Sequence, residues 1–300
     1  MNASSVRAGV LFAISAYVLW GFAPLYFKLI DSVSADEIMV HRVIWSTALL
    51  AVIVLAFGKY QELKKALSNK KVRQRLFITA SFLGTNWFLF IWAVNNDHLL
   101  DASLGYYINP LFSVALGVIF LQERLSKWQL TAVVLAIVGV LIQLIVLGTL
   151  PVISLALAGT FGIYGLLRKK LPIDSFVGLL IESLFMLPIA LMYWLLFVTS
   201  SSSNLFDNSF VLNALLACAG VVTTAPLLCF TAAAKRLTLS TLGFFQYIGP
   251  SIMFVLATFY YQEPYQDEKL ITFGFIWLAL LIYSLDSMRQ HQLRKRLANS

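Results

Sequence analysis

Tyr107-Ile108-Asn109-Pro110 and Tyr247-Ile248-Gly249-Pro250 are two copies of one stretch. An apolar run follows each, and then a Gln-Glu pair: Gln122-Glu123 in the first copy, Gln262-Glu263 in the second. Each residue stands 140 positions after its counterpart, close to half of the 300-residue chain. Upstream, Ser103-Leu104-Gly105-Tyr106-Tyr107 resembles Thr241-Leu242-Gly243-Phe244-Phe245 at an offset of 138, so two residues lie inserted between the matches. Solenoid repeats recur every ~20–50 residues, far below this period. A duplicated half-molecule is the reading that fits, and membrane carriers are built that way.

Composition sets the class. Hydrophobic residues make up 60% of the chain and charged residues 12%, with a mean hydropathy of +0.82. A soluble domain carries about 25% charged residues. Apolar stretches of the length that crosses a ~30 Å hydrocarbon core recur along the chain. They lie at about 8–29, 37–57, 76–94, 102–121, 128–147, 152–167, 174–197, 211–233, 240–261 and 270–285. The first is too long and too weakly basic at its start for a cleavable signal peptide.

The net charge of +8 does not point to nucleic acid, because the cations sit in loops between apolar spans. With the N-terminus in the cytoplasm, 19 of the 22 lysines and arginines fall on the inside, seven of them in the loop 59–75. Lys28 and Lys269 fall outside, and Arg42 lies within a span. That bias places both termini in the cytoplasm.

Ten spans divide into five plus five. Five is odd, so the second copy inserts upside down relative to the first. The expected architecture is an all-α membrane protein of ten transmembrane helices in two inverted five-helix repeats, 8–147 and 152–286, with a basic cytoplasmic tail at 287–300. Glu123 then falls in a cytoplasmic loop and its counterpart Glu263 in a periplasmic one.

Arg42 and Glu182 are the most informative residues. They lie well inside the expected spans and are 140 positions apart, so they hold equivalent places in the two halves. An ionisable group at membrane depth faces a partner or a wet interior. A structural ion pair joining spans two and seven is one reading; a substrate or proton site is the other. His41 adjoins Arg42 on a different helix face, as a packing residue or a pH switch. Tyr106, Asn109 and Ser113 share one face of span four by their i, i+3, i+7 spacing, and Gln246 and Gly249 hold the matching places in span nine. Paired Gly/Pro interruptions such as those at Pro110 and Pro250 mark a transporter site, or only shape packing. Trp20, Trp45 and Trp87 sit nearer mid-span than Trp92 and are the candidate pocket walls. Asn86, Tyr164 and Tyr247 complete the candidate substrate-binding set.

No nucleotide motif G-x-x-x-x-G-K-[ST] is present, nor H-E-x-x-H, nor G-x-S-x-G. The three histidines, 41, 98 and 291, are too scattered for a zinc site. Cys218 and Cys229 stand ~16 Å apart along one helix, beyond disulfide reach, and read as small buried apolar groups. No cofactor or metal is expected. The expected partners are a small-molecule substrate and the lipid bilayer, with a membrane-embedded enzyme or a receptor as the alternatives.

One family shares these residues. Trp20-Gly21-Phe22-Ala23-Pro24, Ala35-Asp36-Glu37, His41-Arg42-Val43-Ile44-Trp45-Ser46, Asn86-Trp87, Ile91-Trp92-Ala93-Val94-Asn95, Ser103-Leu104-Gly105-Tyr106 and Leu242-Gly243-Phe244-Phe245-Gln246-Tyr247-Ile248-Gly249-Pro250 together resemble the RarD branch of the drug/metabolite transporter superfamily. Members carry two EamA-type repeats. The resemblance spans nearly the whole chain and implies a bacterial inner-membrane permease with both ends cytoplasmic. It brings no catalytic residues.

Overall fold

The computed structural model describes residues 3–96, 98–148, 151–198, 202, 204–262 and 267–299. Among them, ten helices are long and apolar enough to cross a membrane. In chain order the elements are α1 (Ala3–Lys28), α2 (Ala35–Ala56), α3 (Tyr60–Ser68), α4 (Lys70–Asn95), α5 (Leu99–Leu121), α6 (Lys127–Leu147), α7 (Val152–Lys170), α8 (Ser175–Phe197), α9 (Phe210–Ala234), α10 (Leu239–Gln246), α11 (Ile248–Val255), a π-helical turn (Leu256–Tyr260) and α12 (Asp267–Asn299). Large apolar side chains point outward along them. Leu195 is 84% exposed and Ile145 78% exposed, which is tolerable against lipid and not against water.

Short polar residues start the helices by accepting the free backbone N–H groups of the first turn. Asn69 caps α4, Asp174 caps α8, Ser209 caps α9 and Thr238 caps α10. Ser126 and Gln129 form a reciprocal capping box at α6. Gln122 stops α5 in the left-handed conformation at φ 54°, and Gln262 has the same φ of 54°. Among the described residues these two are the non-glycine residues with positive φ. The conformation is uncommon for such residues, and it recurs 140 positions apart. Glu263 lies outside the described residues.

Two expectations need correction. The loop at 59–75 contains α3 and the first turn of α4, because its apolar positions are spaced for a helix although its mean polarity is that of a loop. The sixth span runs three residues further than expected, to Lys170, and takes Arg168 inside. The interruption expected at Pro250 is present: α10 ends at Gln246 and α11 begins at Ile248, because Pro250 has no N–H to give the carbonyl of Gln246. α12 continues through the basic stretch to Asn299.

The principal helix pairs are α5 with α7, α1 with α11, α1 with α9, α4 with α7, α2 with α9, α4 with α8, α2 with α8, α5 with α10, and α6 with α12. Exchanging α1 with α7, α2 with α8, α4 with α9, α5 with α10–α11, and α6 with α12 leaves that set unchanged. The largest apolar core lies where α1, α2, α4, α7, α8, α9 and α10 meet.

Candidate functional site

Arg42 and Glu182 are each the eighth residue of their helix, in α2 and α8. Each is held by a threonine from the other half. Arg42 Nε donates to Thr223 Oγ1 of α9 at 2.8 Å. Glu182 Oε1 accepts from Thr79 Oγ1 of α4 at 2.5 Å. The second half thus repeats the geometry of the first with the charge reversed.

Around Arg42 the walls are aromatic. Its guanidinium carbon lies 4.7 Å from the Trp87 ring centroid and 6.0 Å from that of Phe27, within cation–π range. Tyr26 and Tyr106 lie close enough to feel its charge. Tyr26 is itself fixed by donating to the Leu215 carbonyl at 2.9 Å. Arg42 is half-buried, and Tyr106 is 41% exposed, so this cluster is not sealed on all sides by protein. Among the described residues Arg42 has no carboxylate within 4 Å, and its two terminal nitrogens make no hydrogen bond.

Glu182 is treated differently. It is fully buried and faces Arg168 Nη1 at 3.6 Å, and it also accepts from the Tyr164 hydroxyl at 3.3 Å. The ion pair of spans two and seven allowed by the sequence is therefore replaced: Glu182 pairs with Arg168 of α7. Arg168 is also fully buried, and Nε, Nη1 and Nη2 all lack hydrogen-bond partners among the described residues. Its side chain crosses Gly178, where a Cβ would stand 2.2 Å from Nη1.

The other candidates divide between these clusters and the packing. Trp20 belongs to an aromatic group with Tyr17, Phe161 and Phe230. Tyr164 stacks on Phe230 beside it, and its hydroxyl serves Glu182. Trp45 donates its indole N–H to His41 Nδ1 at 3.3 Å. That leaves the His41 proton on Nε2, 3.7 Å from Glu37 Oε1 and beyond hydrogen-bond reach; Glu37 Oε2 accepts from Ser202 Oγ at 2.8 Å. Asn86 donates to the Leu157 carbonyl and to Thr160 Oγ1, tying α4 to α7. Tyr247 is buried and donates to the Tyr107 carbonyl at 3.2 Å. Gln246 Nε2 donates to Ser113 Oγ at 3.2 Å, joining the matching faces of spans nine and four. Nearby polar atoms remain unpartnered: Asn109 Oδ1, Gln246 Oε1 and the Tyr17 hydroxyl. Cys218 is exposed and Cys229 half-buried, so neither is the buried apolar group expected.

Sequence reasoning passed over Arg168, Thr79, Thr223 and Tyr26. Arg168 precedes Lys169-Lys170 and looks like a loop cation. The threonines carry no signal until the two halves are folded together.

The end of the molecule that carries the α1 N-terminus is stitched together by polar ties. Lys59 Nζ meets Asp174 Oδ2 at 2.5 Å. Lys235 Nζ donates to the Ile173 carbonyl, and Lys169 Nζ to those of Ala234 and Leu237. Glu123 caps α10, accepting from the N–H groups of Leu239 at 2.6 Å and Ser240 at 2.8 Å and from Ser240 Oγ at 2.7 Å. Lys235 is pushed down to about 8 by burial and by repulsion from Arg168.

Ten membrane-length helices with Arg42, Arg168 and Glu182 embedded among them define a multi-pass membrane protein. The sequence profile of the EamA-like transporter family matches residues 7–145. An uncharacterized transporter of Vibrio cholerae is 52% identical, covering 97% of this chain and 96% of that protein. Protein RarD of Escherichia coli is 51% identical, covering 96% and 97%. The chloramphenicol-sensitive protein RarD of Pseudomonas aeruginosa is 31% identical, covering 94% and 95%. The chain belongs to the RarD branch of the EamA-like transporters. A solved crystal structure with 17% sequence identity matches at a TM-score of 0.72 over 95% of this chain and 99% of that one, a likeness of fold alone.

Proposed function

We propose that the chain is a secondary transporter that moves a small amphipathic solute across the bacterial inner membrane by alternating access. Two inverted five-helix repeats rock about a site at Arg42, with the stitched end facing the cytoplasm. The observation that carries this reading is the unequal treatment of two equivalent positions. Arg42 is partly exposed and keeps two nitrogens uncommitted, whereas Glu182 is fully buried and paired with Arg168. A carrier open to one side and closed to the other has this asymmetry.

Glu182 supplies the coupling. A proton on its carboxylate discharges the pair with Arg168 and loosens the closed end, so proton movement is tied to opening. The cargo meets Trp87, Phe27 and Tyr106 together with Arg42, a lining that offers stacking and hydrogen bonds.

The test uses purified full-length protein in sealed vesicles, with a panel of aromatic metabolites and chloramphenicol, the compound in the name of the Pseudomonas aeruginosa relative. Uptake faster than in empty vesicles, driven by a pH gradient, is expected. Glu182→Gln should exchange solute while losing its response to the gradient. If no panel member moves faster than in empty vesicles, the transport reading fails. If Glu182→Gln keeps the gradient response, the coupling role fails.

A further inference from the structure

We infer that the solute is an anion, a carboxylate on a flat apolar body, held end-on by the two terminal nitrogens of Arg42. The inference deepens the transport reading above and rests on it for where the solute goes. It begins with the direction of the guanidinium. A guanidinium presents five N–H donors in one plane. Thr223 takes the Nε donor at 2.8 Å, which orients that plane. Trp87 stands 4.7 Å from the guanidinium carbon over the ring. What remains is the edge formed by the two terminal nitrogens, uncommitted among the described residues. That edge matches the two oxygens of a carboxylate in a bidentate pair.

Charge makes the same choice. No carboxylate of the described residues lies within 4 Å of Arg42. The glutamate at the equivalent position is committed to Arg168, Thr79 and Tyr164. A cationic solute meets an uncompensated positive charge at a site walled by rings, and a neutral one leaves that charge unpaired. An anion neutralises it. The rings of Trp87, Phe27 and Tyr106 then receive a flat body, because aromatic faces pack on flat groups with little loss of side-chain freedom.

The test is a matched series on one body: 3-phenylpropionate, 3-phenylpropanamide and 3-phenylpropylamine, titrated calorimetrically into the full-length protein in lipid nanodiscs. The acid is expected to bind at least about tenfold more tightly than the amide, or ~1.4 kcal/mol, and the amine not at all. Arg42→Lys should weaken the acid and keep the order, since the charge stays and the fork is lost. Arg42→Gln should bring acid and amide to equal affinity. The inference is overturned if the unmodified protein binds the amide or the amine as well as the acid, if it binds none of the three, or if Arg42→Gln keeps the preference. The same compounds in sealed vesicles separate the two readings. An acid that binds selectively but does not cross leaves the inference standing and sinks transport. Crossing without regard to charge does the reverse.

Discussion

Gly220 and Gly274 are both helical glycines, and the space beside them differs completely. A Cβ on Gly220 would stand 2.5 Å from the backbone carbonyl carbon of Trp45, and Ser46 Oγ donates to the Gly220 carbonyl beside it. Backbone cannot swing aside, so α2 and α9 would have to part at the level of Arg42 and Thr223. Gly220→Ala should destabilise the protein by about 1–3 kcal/mol through overpacking. Nothing lies within 4 Å of a Cβ on Gly274, and alanine favours a helix over glycine by up to ~1 kcal/mol. Gly274→Ala should leave stability unchanged or raise it. Thermal unfolding of the three proteins in one detergent checks both, and equal midpoints for the two variants would contradict the argument. Arg42 and Glu182 were legible in the sequence, because a charge inside an apolar run stands out without any fold. Their partners were not. Thr223 and Thr79 are ordinary residues until the halves meet, and Arg168 is hidden among loop cations.

The helices themselves were mostly legible, since length and hydropathy are enough for a span that lipid surrounds. Those criteria fail at α3, whose polarity is that of a loop, and at the middle of span nine, where hydropathy does not register a lost hydrogen bond. Pro110 and Pro250 look alike in sequence and act differently. α5 runs unbroken through Pro110, clamped by α7 and by α10, where Gly243 approaches the Pro110 carbonyl. The equivalent segment divides at Tyr247. Pro250→Ala returns an N–H for the Gln246 carbonyl and should join α10 to α11. If the break works as the gate hinge, uptake by Pro250→Ala should fall at least about tenfold, ~1.4 kcal/mol on the barrier, while the amount of protein in the membrane stays unchanged. Uptake equal to that of the parent protein would show that the break only shapes packing.

Across the whole molecule the duplication was legible from its punctuation, and the left-handed Gln122 and Gln262 are its sharpest trace. The unlike fates of the two halves were not legible, because they depend on which end is shut. That end should respond to pH. Lys235 faces Arg168, Asp174, Arg236 and Lys59, and burial with Arg168 brings it to about 8. Opened to water it returns to the ordinary lysine range near ~10.4. Between those values the closed form holds fewer protons, so closure should strengthen as pH rises through about 8. Asp174 works at the other extreme. Burial alone would raise it, but the hydrogen bond from Lys59 and the N–H groups of Val177 and Phe176 outweigh burial and hold it below its usual value. Its contribution is therefore complete near neutrality and is lost only as pH falls through the acid range. Spin labels at Lys64→Cys and Lys170→Cys, with Cys218 and Cys229 replaced by serine, should show a narrower distance distribution at about pH 10 than at about pH 7. The change should vanish in Lys235→Met. A distribution that broadens with pH would reverse the assignment. Arg168 gives the shut end a further property. Arg168 is fully buried 3.6 Å from Glu182, with no hydrogen bond on its nitrogens among the described residues, so the pair offsets a dehydration cost of several kcal/mol without the added hydrogen bonds that complete such a site. If that end opens as proposed, water reaching Arg168 would return part of this cost and so reduce the work of opening.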